Sequence, residues 1–255
     1  MTATLNKQVY PDLQLSNPLK LGDKNPKVRL IQEWLSLNGV SVSLDGDFGP
    51  ATEAAVKRFQ TKHSLQSDGI VEEKTFEALT KPMANVLKTI SKDGESIASL
   101  TLKYAEQHLK EHPREIGGQN MGPWVRLYMD QHQGTAWPWC AGFACFLMKQ
   151  ACKDLGKELP FTPSYACTYM ATSADQKKIL LREPKPADRQ KIKPGSIFLV
   201  QQTSTMWQHT GIVSSVGNNY FHTIEGNTND DGSPEGYEVC ERVRGFNRMD
   251  FILLS

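Results

Sequence analysis

Hydrophobic and polar positions in the first third of the chain follow helical spacing, interrupted by turn residues. Asn25-Pro26 is typical of a helix start, with a capping side chain followed by proline at the first helical position, and Gly39 ends the pattern. The apolar residues of this helix fall on one predicted face: Val28, Ile31, Trp34 and Leu35. A second helix is predicted to open at Gly49-Pro50, and a third, short helix surrounds Phe76.

Beyond residue 97 the pattern again begins helical. Residues 97–112 have apolar positions at amphipathic spacing, and a short helix is predicted at 124–131. Pro138 stops any preceding helix, and residues 140–148 are then small or apolar without a charge. This pattern predicts a helix that is buried on most sides and begins at or just before Cys140.

The C-terminal part of the chain has the pattern of a sheet. Short runs of β-branched and aromatic residues between turn signals predict five strands, at 196–200, 208–213, 220–225, 236–244 and 251–254. Strands that follow one another without helices between them form antiparallel sheets, so the buried helix must pack on this one. The expected fold class is therefore α+β.

These patterns divide the 255 residues into two modest domains. We expect a lead-in segment at 1–17, a small three-helix domain at 18–81, a linker at 82–96 and a larger domain at 97–255. Apolar residues in the linker predict that part of it is a helix packed on a domain.

Composition and charge exclude several classes of protein. Lysine and arginine number 29 against 28 acidic residues, so the electrostatic argument for a nucleic-acid binder is absent. No apolar run approaches the roughly 20 residues that span a bilayer, and the first ten residues carry no secretory signal. The five cysteines are odd in number and include no CxxC pair, so neither a disulfide framework nor a zinc ribbon is indicated, and most of them are expected to be buried free thiols. No cofactor is expected.

Two Asp-Gly pairs form a weak internal repeat in the first domain. The pairs at 45–46 and 68–69 each make a tight turn that leads into a helix. The ordered set of motifs is Leu21-Gly22-Asp23, the 28–37 helix, Asp45-Gly46-Asp47-Phe48-Gly49, Thr52, Ala55-Val56, Phe59-Gln60, Asp68-Gly69-Ile70-Val71 and Thr75.

This set resembles the peptidoglycan-binding domain common in cell-wall hydrolases, over nearly all of 18–81. The resemblance implies a three-helix fold that docks a wall glycan or stem peptide in a shallow groove. The motif does not identify the residues that line the groove; Asp47, Phe48 and Gln60 are the candidates.

Cys140 occupies the position of a reactive thiol. A thiol at a helix N-terminus faces the positive end of the helix dipole and unpaired backbone N–H groups, which both favour the thiolate. Such cysteines, with a histidine nearby, have pKa values of about 3.5–7.5. Cys145 and Cys152 lie further along the same predicted helix, and Cys167 and Cys240 have no comparable setting.

A nucleophilic thiol needs a base, and two histidines lie in the strand-rich tail. His209 is favoured because Gly211 beside it leaves room at the sheet surface for a substrate; His222 is the alternative. Glu225 and Asn227 follow on the next predicted strand and could orient the imidazole.

A helix-borne cysteine facing a sheet-borne histidine is the papain-like arrangement. Four motifs in order resemble the CHAP family of cysteine, histidine-dependent amidohydrolases and peptidases over roughly 97–255: Trp139-Cys140-Ala141, Pro194-Gly195-Ser196-Ile197, His209-Thr210-Gly211-Ile212-Val213 and Glu225-Gly226-Asn227-Thr228. The resemblance implies Cys140 as nucleophile and His209 as general base, with Glu225 orienting the histidine.

Further expectations follow from the same resemblance. Asn227 would assist Glu225, and Trp139 is a candidate substrate contact. The second oxyanion donor, beside the Cys140 backbone N–H, would be Asn120 or Gln133. One departure is visible, because this chain has Ser196 where the family often has aspartate. The acidic stretch 229–233 is interpreted as a solvated turn, so no metal is expected.

Together the two resemblances predict a peptidoglycan hydrolase, most simply an N-acetylmuramoyl-L-alanine amidase. The open alternatives are an endopeptidase of the stem or cross-bridge peptide, a non-catalytic wall-binding protein, and an amidase acting on another substrate. The expected partner is peptidoglycan, without nucleic acid or membrane insertion, and the expected state is a monomer. Without a signal peptide, release as a phage lysin or injection as an effector with an immunity protein would bring it to the wall.

Overall fold

The structure is a computed structural model that describes residues 10–229 and 236–255. Within these ranges the helices are α1 (Pro26–Leu37), α2 (Pro50–Lys62), α3 (Glu73–Val86), α4 (Ile97–Lys110), α5 (Pro123–Tyr128), α6 (Cys140–Leu155) and α7 (Cys167–Gln176). The strands are β1 (Leu180–Leu181), β2 (Ile197–Thr203), β3 (Met206–Val216), β4 (Tyr220–Thr228), β5 (Glu238–Gly245) and β6 (Met249–Ile252). Short 3₁₀ helices occupy Pro11–Leu13 and Pro186–Lys191.

The strands form one antiparallel sheet in the order β1-β6-β2-β3-β4-β5. Helix α6 packs against β3 and β4 of this sheet, and α4 packs on α6. The α+β fold class with a small helical domain before it is therefore confirmed. The two-residue strand β1 and helix α7 were missing from the expectation, since neither carries a periodic apolar pattern long enough to stand out.

Helix α1 begins as its sequence predicts. The Asn25 side chain accepts hydrogen bonds from the backbone N–H groups of Lys27 and Val28, which would otherwise lack partners at a helix start. Pro26 occupies the first helical position, where its missing N–H costs nothing.

The two Asp-Gly turns are held by two equivalent glutamines. Gln60 donates from Nε2 to Asp68 Oδ1 at 2.9 Å, and its Oε1 accepts from the Gly69 N–H at 2.9 Å. Gln32 repeats the arrangement, with 2.7 Å to Asp45 Oδ1 and 2.8 Å from the N–H of Gly46. Each buried amide thus binds both the aspartate side chain and the glycine N–H of its turn.

Removing the Gln60 amide is expected to destabilise the first domain. In Gln60→Leu, the Gly69 N–H and the Ile70 carbonyl lose their buried partner, so the free energy of unfolding should fall by about 2–3 kcal/mol. Urea unfolding monitored by circular dichroism measures the change. Gln66→Leu, at an exposed position of the same loop, is the matched control. Equal midpoints for the two variants would contradict the prediction.

The helical domain packs directly on the rest of the chain. Arg126 of α5 donates from Nε to Asp12 at 2.8 Å and from Nη2 to Glu33 of α1 at 2.7 Å. These three side chains are mostly buried, so both carboxylates neutralise a cation removed from water. The contact ties α5 to α1 across the expected linker.

Helix α3 is longer than the short helix expected. It runs from Glu73 through Pro82 to Val86, across the boundary predicted after residue 81, and packs against α4. The buried residues Met83 and Val86 belong to the same hydrophobic core as α4 and α6.

Among the described helices, none combines the length and apolar character that crossing a bilayer requires.

Candidate active site

Cys140 is the first residue of α6, as the sequence predicted. The preceding Trp139 anchors this point, because its indole N–H donates to Glu115 Oε1 at 2.8 Å and its ring stacks on Tyr128 at 5.5 Å. A Cβ at Gly142 would lie 2.7 Å from the Tyr128 carbonyl oxygen, so only glycine allows α5 to approach α6 this closely. The thiol is therefore held on a rigid support.

His209 and Glu225 meet on the sheet beneath Cys140. Nε2 of His209 on β3 lies 2.8 Å from Oε2 of Glu225 on β4, and His209 also hydrogen-bonds Cys140. Because Nε2 is engaged by the carboxylate, Nδ1 is the nitrogen left to face the thiol. The structure thus brings together the three residues expected to act as nucleophile, base and orienting acid.

Gly211 serves a different purpose from the one predicted. A Cβ at Gly211 would lie 2.9 Å from Glu225 Cγ and 2.8 Å from the Phe198 ring, so these side chains fill the space above it. The expectation that Gly211 leaves room for a substrate is wrong. Its missing side chain instead lets the Glu225 carboxylate lie over β3 and reach His209.

Arg244 completes the support of Glu225, and the sequence reading missed it. From β5, Arg244 donates through Nε to Oε1 at 2.5 Å and through Nη2 to Oε2 at 2.6 Å. The Thr223 hydroxyl donates to Oε1 at 2.5 Å. A fully buried carboxylate with these donors and the imidazole is fixed in position and held ionised.

Cys167 is the second residue that the sequence reading missed. It is the first residue of α7, and its Sγ lies 3.9 Å from Sγ of Cys140. The two thiols therefore stand at the N-termini of two helices, in contact with each other. The expectation that Cys167 has no special setting is wrong, because α7 itself was not predicted.

The pKa values follow from these contacts. The Cys167 thiol and the His209 imidazole both hydrogen-bond Cys140 and lower its pKa well below the ordinary value, although burial opposes them. Burial disfavours the charged His209, but hydrogen bonds to Cys140 and Glu225 raise its pKa to about 9. Burial likewise opposes the Glu225 charge, but Arg244 and His209 lower its pKa to about 2. The favoured state at neutral pH is a thiolate–imidazolium pair.

This pair predicts the pH profile of any reaction that uses the thiolate. The pair forms once Cys140 loses its proton, at a pH well below the ordinary thiol pKa, and is lost when the imidazolium deprotonates at about pH 9. We therefore expect kcat/KM, and the rate of Cys140 alkylation by iodoacetamide, to stay level through neutral pH. The alkaline fall in kcat/KM should come at about pH 9. An alkaline fall near 6.5, the ordinary histidine value, would contradict the raised pKa of His209.

Asn227 is less closely involved than expected. It lies in an irregularity of the β4–β5 pairing between Glu225 and Thr228, with a left-handed φ of 54°. Its Oδ1 is buried and has no hydrogen-bond partner among residues 10–229 and 236–255. Within the same ranges no hydrogen bond joins Asn227 to His209.

Three predicted substrate contacts are buried. The Trp139 and Phe48 side chains are 0% exposed and Gln60 is 1% exposed, so none of them can reach a glycan in this structure. These three predictions are wrong, because the aromatic residues fill the core and the Gln60 amide is used by its turn. Asp47 remains partly exposed and pairs with Lys24 at 2.7 Å.

The other candidates lie elsewhere. His222 is exposed on β4 and packs edge-on against Tyr220. His108 of α4 is buried and hydrogen-bonded through Nδ1 to the Tyr128 hydroxyl, and burial lowers its pKa to about 3. Gln133 accepts hydrogen bonds from Gly122 and Arg126. Asn120 is buried beneath the loop before Cys140, where its backbone carbonyl accepts a hydrogen bond from the Gly134 N–H.

The residues described here provide no cluster of three or more histidine, cysteine or carboxylate side chains able to hold a metal ion. The acidic stretch at 229–233 lies, apart from Asn229, outside the described residues.

Comparison with protein families finds a match in each half of the chain. Residues 24–79 match a family described as "Putative peptidoglycan binding domain", and residues 131–227 match the CHAP domain. The chain therefore joins a peptidoglycan-binding domain to a CHAP domain, and both predicted resemblances are confirmed. The two matched ranges fall inside 18–81 and 97–255.

Three relatives each resemble part of the chain. The zinc D-Ala-D-Ala carboxypeptidase of Streptomyces albus G is 49% identical over 64 residues, which cover 24% of this chain and 25% of that protein. A fused Zn-dependent amidase/peptidase/peptidoglycan-binding domain-containing protein from Clostridium acetobutylicum ATCC 824 is 40% identical over 25% of this chain and 28% of its own, with a TM-score of 0.24. The Burkholderia AP3 phage endolysin is 30% identical over 37% and 33%, with a TM-score of 0.25. The chain thus spans a third or less of these relatives' lengths.

Proposed function

We propose that this protein is a peptidoglycan hydrolase that cuts the N-acetylmuramoyl–L-alanine amide with Cys140 as nucleophile. The observation that carries the proposal is the contact series Cys140–His209–Glu225, located in a CHAP domain beside a peptidoglycan-binding domain. A thiolate facing an oriented imidazolium is the arrangement that acyl transfer to sulfur needs.

The chemistry follows from the positions of the protons. The Cys140 thiolate attacks the amide carbonyl. The oxyanion that forms accepts hydrogen bonds from the backbone N–H groups at the start of α6. His209, already protonated, gives its Nδ1 proton to the leaving amine. It then removes a proton from the water that hydrolyses the thioester. Glu225 keeps the imidazole in one orientation through both steps.

The choice of bond rests on aromatic side chains beside the thiols. Trp137 stacks on His132 at 4.1 Å and meets Tyr165 edge-on at 6.3 Å, and all three rings are at least partly exposed. They lie in the segments that precede Cys140 and Cys167. An aromatic face is suited to the C–H face of a sugar ring, and the muramoyl–alanine bond is the amide that joins the stem peptide to a sugar.

The first domain would raise the local concentration of substrate. Linked binding units act through effective concentration, which depends on how freely the link moves. Here the link is short and Arg126 fixes α5 to α1, so the domain would present the wall in a restricted set of orientations.

Product analysis tests the proposal. Purified sacculi are digested with the protein, and the new amine and carboxyl ends are identified by mass spectrometry. Free glycan chains and intact stem peptides with an N-terminal alanine are expected. Shortened peptides still attached to sugar would identify an endopeptidase instead. Binding of sacculi without any product would leave a wall-binding protein and overturn the hydrolase.

A further inference from the structure

The two thiols in contact are more than catalysis requires. An acyl transfer to Cys140 uses one sulfur, one imidazole and one carboxylate, yet Cys167 is placed 3.9 Å from the nucleophilic sulfur. Both side chains are nearly buried, at 4% and 6% exposure, and both start a helix. The remaining cysteines, Cys145, Cys152 and Cys240, are likewise not in disulfides.

We propose that Cys140 and Cys167 form an oxidation site at which a hydroperoxide converts the nucleophile reversibly into a disulfide. Cys167 is the resolving thiol. The inference rests on the proposed function only where it concerns hydrolytic activity. The disulfide itself can be detected by mass spectrometry whether or not the protein is a hydrolase.

The chemistry balances in two steps. The Cys140 thiolate attacks one oxygen of hydrogen peroxide, which breaks the O–O bond, gives a sulfenic acid and releases hydroxide. The sulfur of Cys167 then displaces hydroxide from the sulfenic sulfur, which forms the S–S bond and, with the Cys167 proton, releases water. Two thiols are oxidised and one peroxide is reduced. A thiol reductant restores both by exchange.

The surroundings favour this order of events. The Cys140 thiolate keeps the pKa of Cys167 well above its ordinary value, so Cys167 stays protonated while Cys140 reacts. A neutral sulfenic acid at Cys140 removes that negative charge. Cys167 can then ionise at the N-terminus of α7, where the helix dipole favours the thiolate.

The geometry requires only a small movement. A disulfide has an S–S distance of about 2.05 Å, so the two sulfurs must approach by about 2 Å from their 3.9 Å separation. Rotation of the two side chains about their Cα–Cβ bonds is the movement that would bring the sulfurs together.

Limited oxidation tests the inference. The reduced protein is treated with an equimolar amount of hydrogen peroxide, blocked with N-ethylmaleimide and analysed by intact mass and peptide mapping. We expect loss of two hydrogens, two fewer blocked thiols and a cross-linked peptide joining Cys140 to Cys167. Wall-digesting activity should be lost in parallel and return to its starting level after dithiothreitol.

Variants separate the resolving role from general sensitivity. Each oxidation step consumes one peroxide, so the variants and wild type are also treated with three equivalents of hydrogen peroxide, each sample being compared with its own activity before oxidation. In Cys167→Ser at this dose, Cys140 should advance through the sulfenic to the sulfinic acid, and dithiothreitol should then restore no activity. Cys152→Ser, which removes another buried thiol of α6, should behave like wild type. If wild-type Cys140 reaches the sulfinic acid without a cross-link, the inference is overturned. Should Cys167→Ser fold poorly, the wild-type peptide map decides. If the Cys140–Cys167 cross-link forms in a protein that digests no sacculi, the result contradicts the proposed function and leaves the inference about the disulfide in place.

Discussion

Cys140→Ala is expected to abolish peptidoglycan hydrolysis, with kcat/KM falling by about 10⁴-fold or more. The reason is that no other described thiol hydrogen-bonds His209, so no second sulfur can replace the nucleophile. What remains after such a loss is the contribution of substrate binding and oxyanion donors. Release of soluble fragments from sacculi, measured at one pH over a range of enzyme concentrations, gives the ratio.

Two controls make this result specific. Cys152→Ala removes a buried thiol from the same helix and should keep wild-type activity, because Cys152 lies away from the imidazole. Cys140→Ala itself should still sediment with sacculi, because the peptidoglycan-binding domain is untouched. Equal digestion by Cys140→Ala and wild type would mean that the hydrolysis, if any, does not use this sulfur.

The position of the nucleophile could be predicted from local sequence. The helix start at Cys140 follows from Pro138 and the charge-free residues after it, and both signals lie within a few positions. The same holds for the cap at Asn25. In each case the information is contained in neighbours along the chain, which is where propensity and capping operate.

Arg244 and Cys167 could not be predicted in the same way. Arg244 reaches Glu225 because β5 pairs with β4 in a register that sets Arg244 opposite Phe221, on the same face of the sheet as Glu225, and a sequence does not display a register. Cys167 contacts Cys140 only because the loop before α7 places the start of that helix beside the start of α6. Both contacts depend on how elements far apart in the chain are assembled.

The errors in the binding domain have a related cause. Phe48 and Gln60 belong to the motifs that identify the domain, and such motifs mix residues that bind with residues that hold the fold. In this structure Phe48 fills the core and Gln60 supports the turn at Asp68. A polar residue within a motif is therefore weak evidence for a surface contact when its amide can satisfy a tight turn.

Glu225→Gln is expected to lower kcat by about 10²–10⁴-fold with a smaller change in KM, by analogy with amide replacement of the acid in other triads. The amide is neutral, so it no longer stabilises the imidazolium of His209, whose pKa should fall from about 9. The alkaline limb of the pH profile should move to lower pH with it. A purely structural role for Glu225 would change stability without moving that limb.

Arg244 provides an independent check on the same carboxylate. Arg244→Met keeps the apolar stem and removes both donors to Glu225, so the pKa of Glu225 should rise from its value of about 2. Because His209 remains beside the carboxylate, we expect a smaller loss of kcat than in Glu225→Gln. A loss as large as that of Glu225→Gln would mean that Arg244 itself contacts the substrate.

Glu33→Gln is the matched control for this pair of variants. Glu33 is also a buried carboxylate bonded to an arginine, at 2.7 Å from Arg126 Nη2, but it lies in the helical domain. Breaking a buried ion pair costs about 3–5 kcal/mol in stability. Because Arg126 keeps Asp12 as a counter-charge in Glu33→Gln, the loss of stability in that variant should lie at the lower end of this range. Only Glu225→Gln should also change kcat and the pH profile of the folded protein. If Glu33→Gln reduced kcat and moved the alkaline limb equally, the effect would belong to folding rather than to His209.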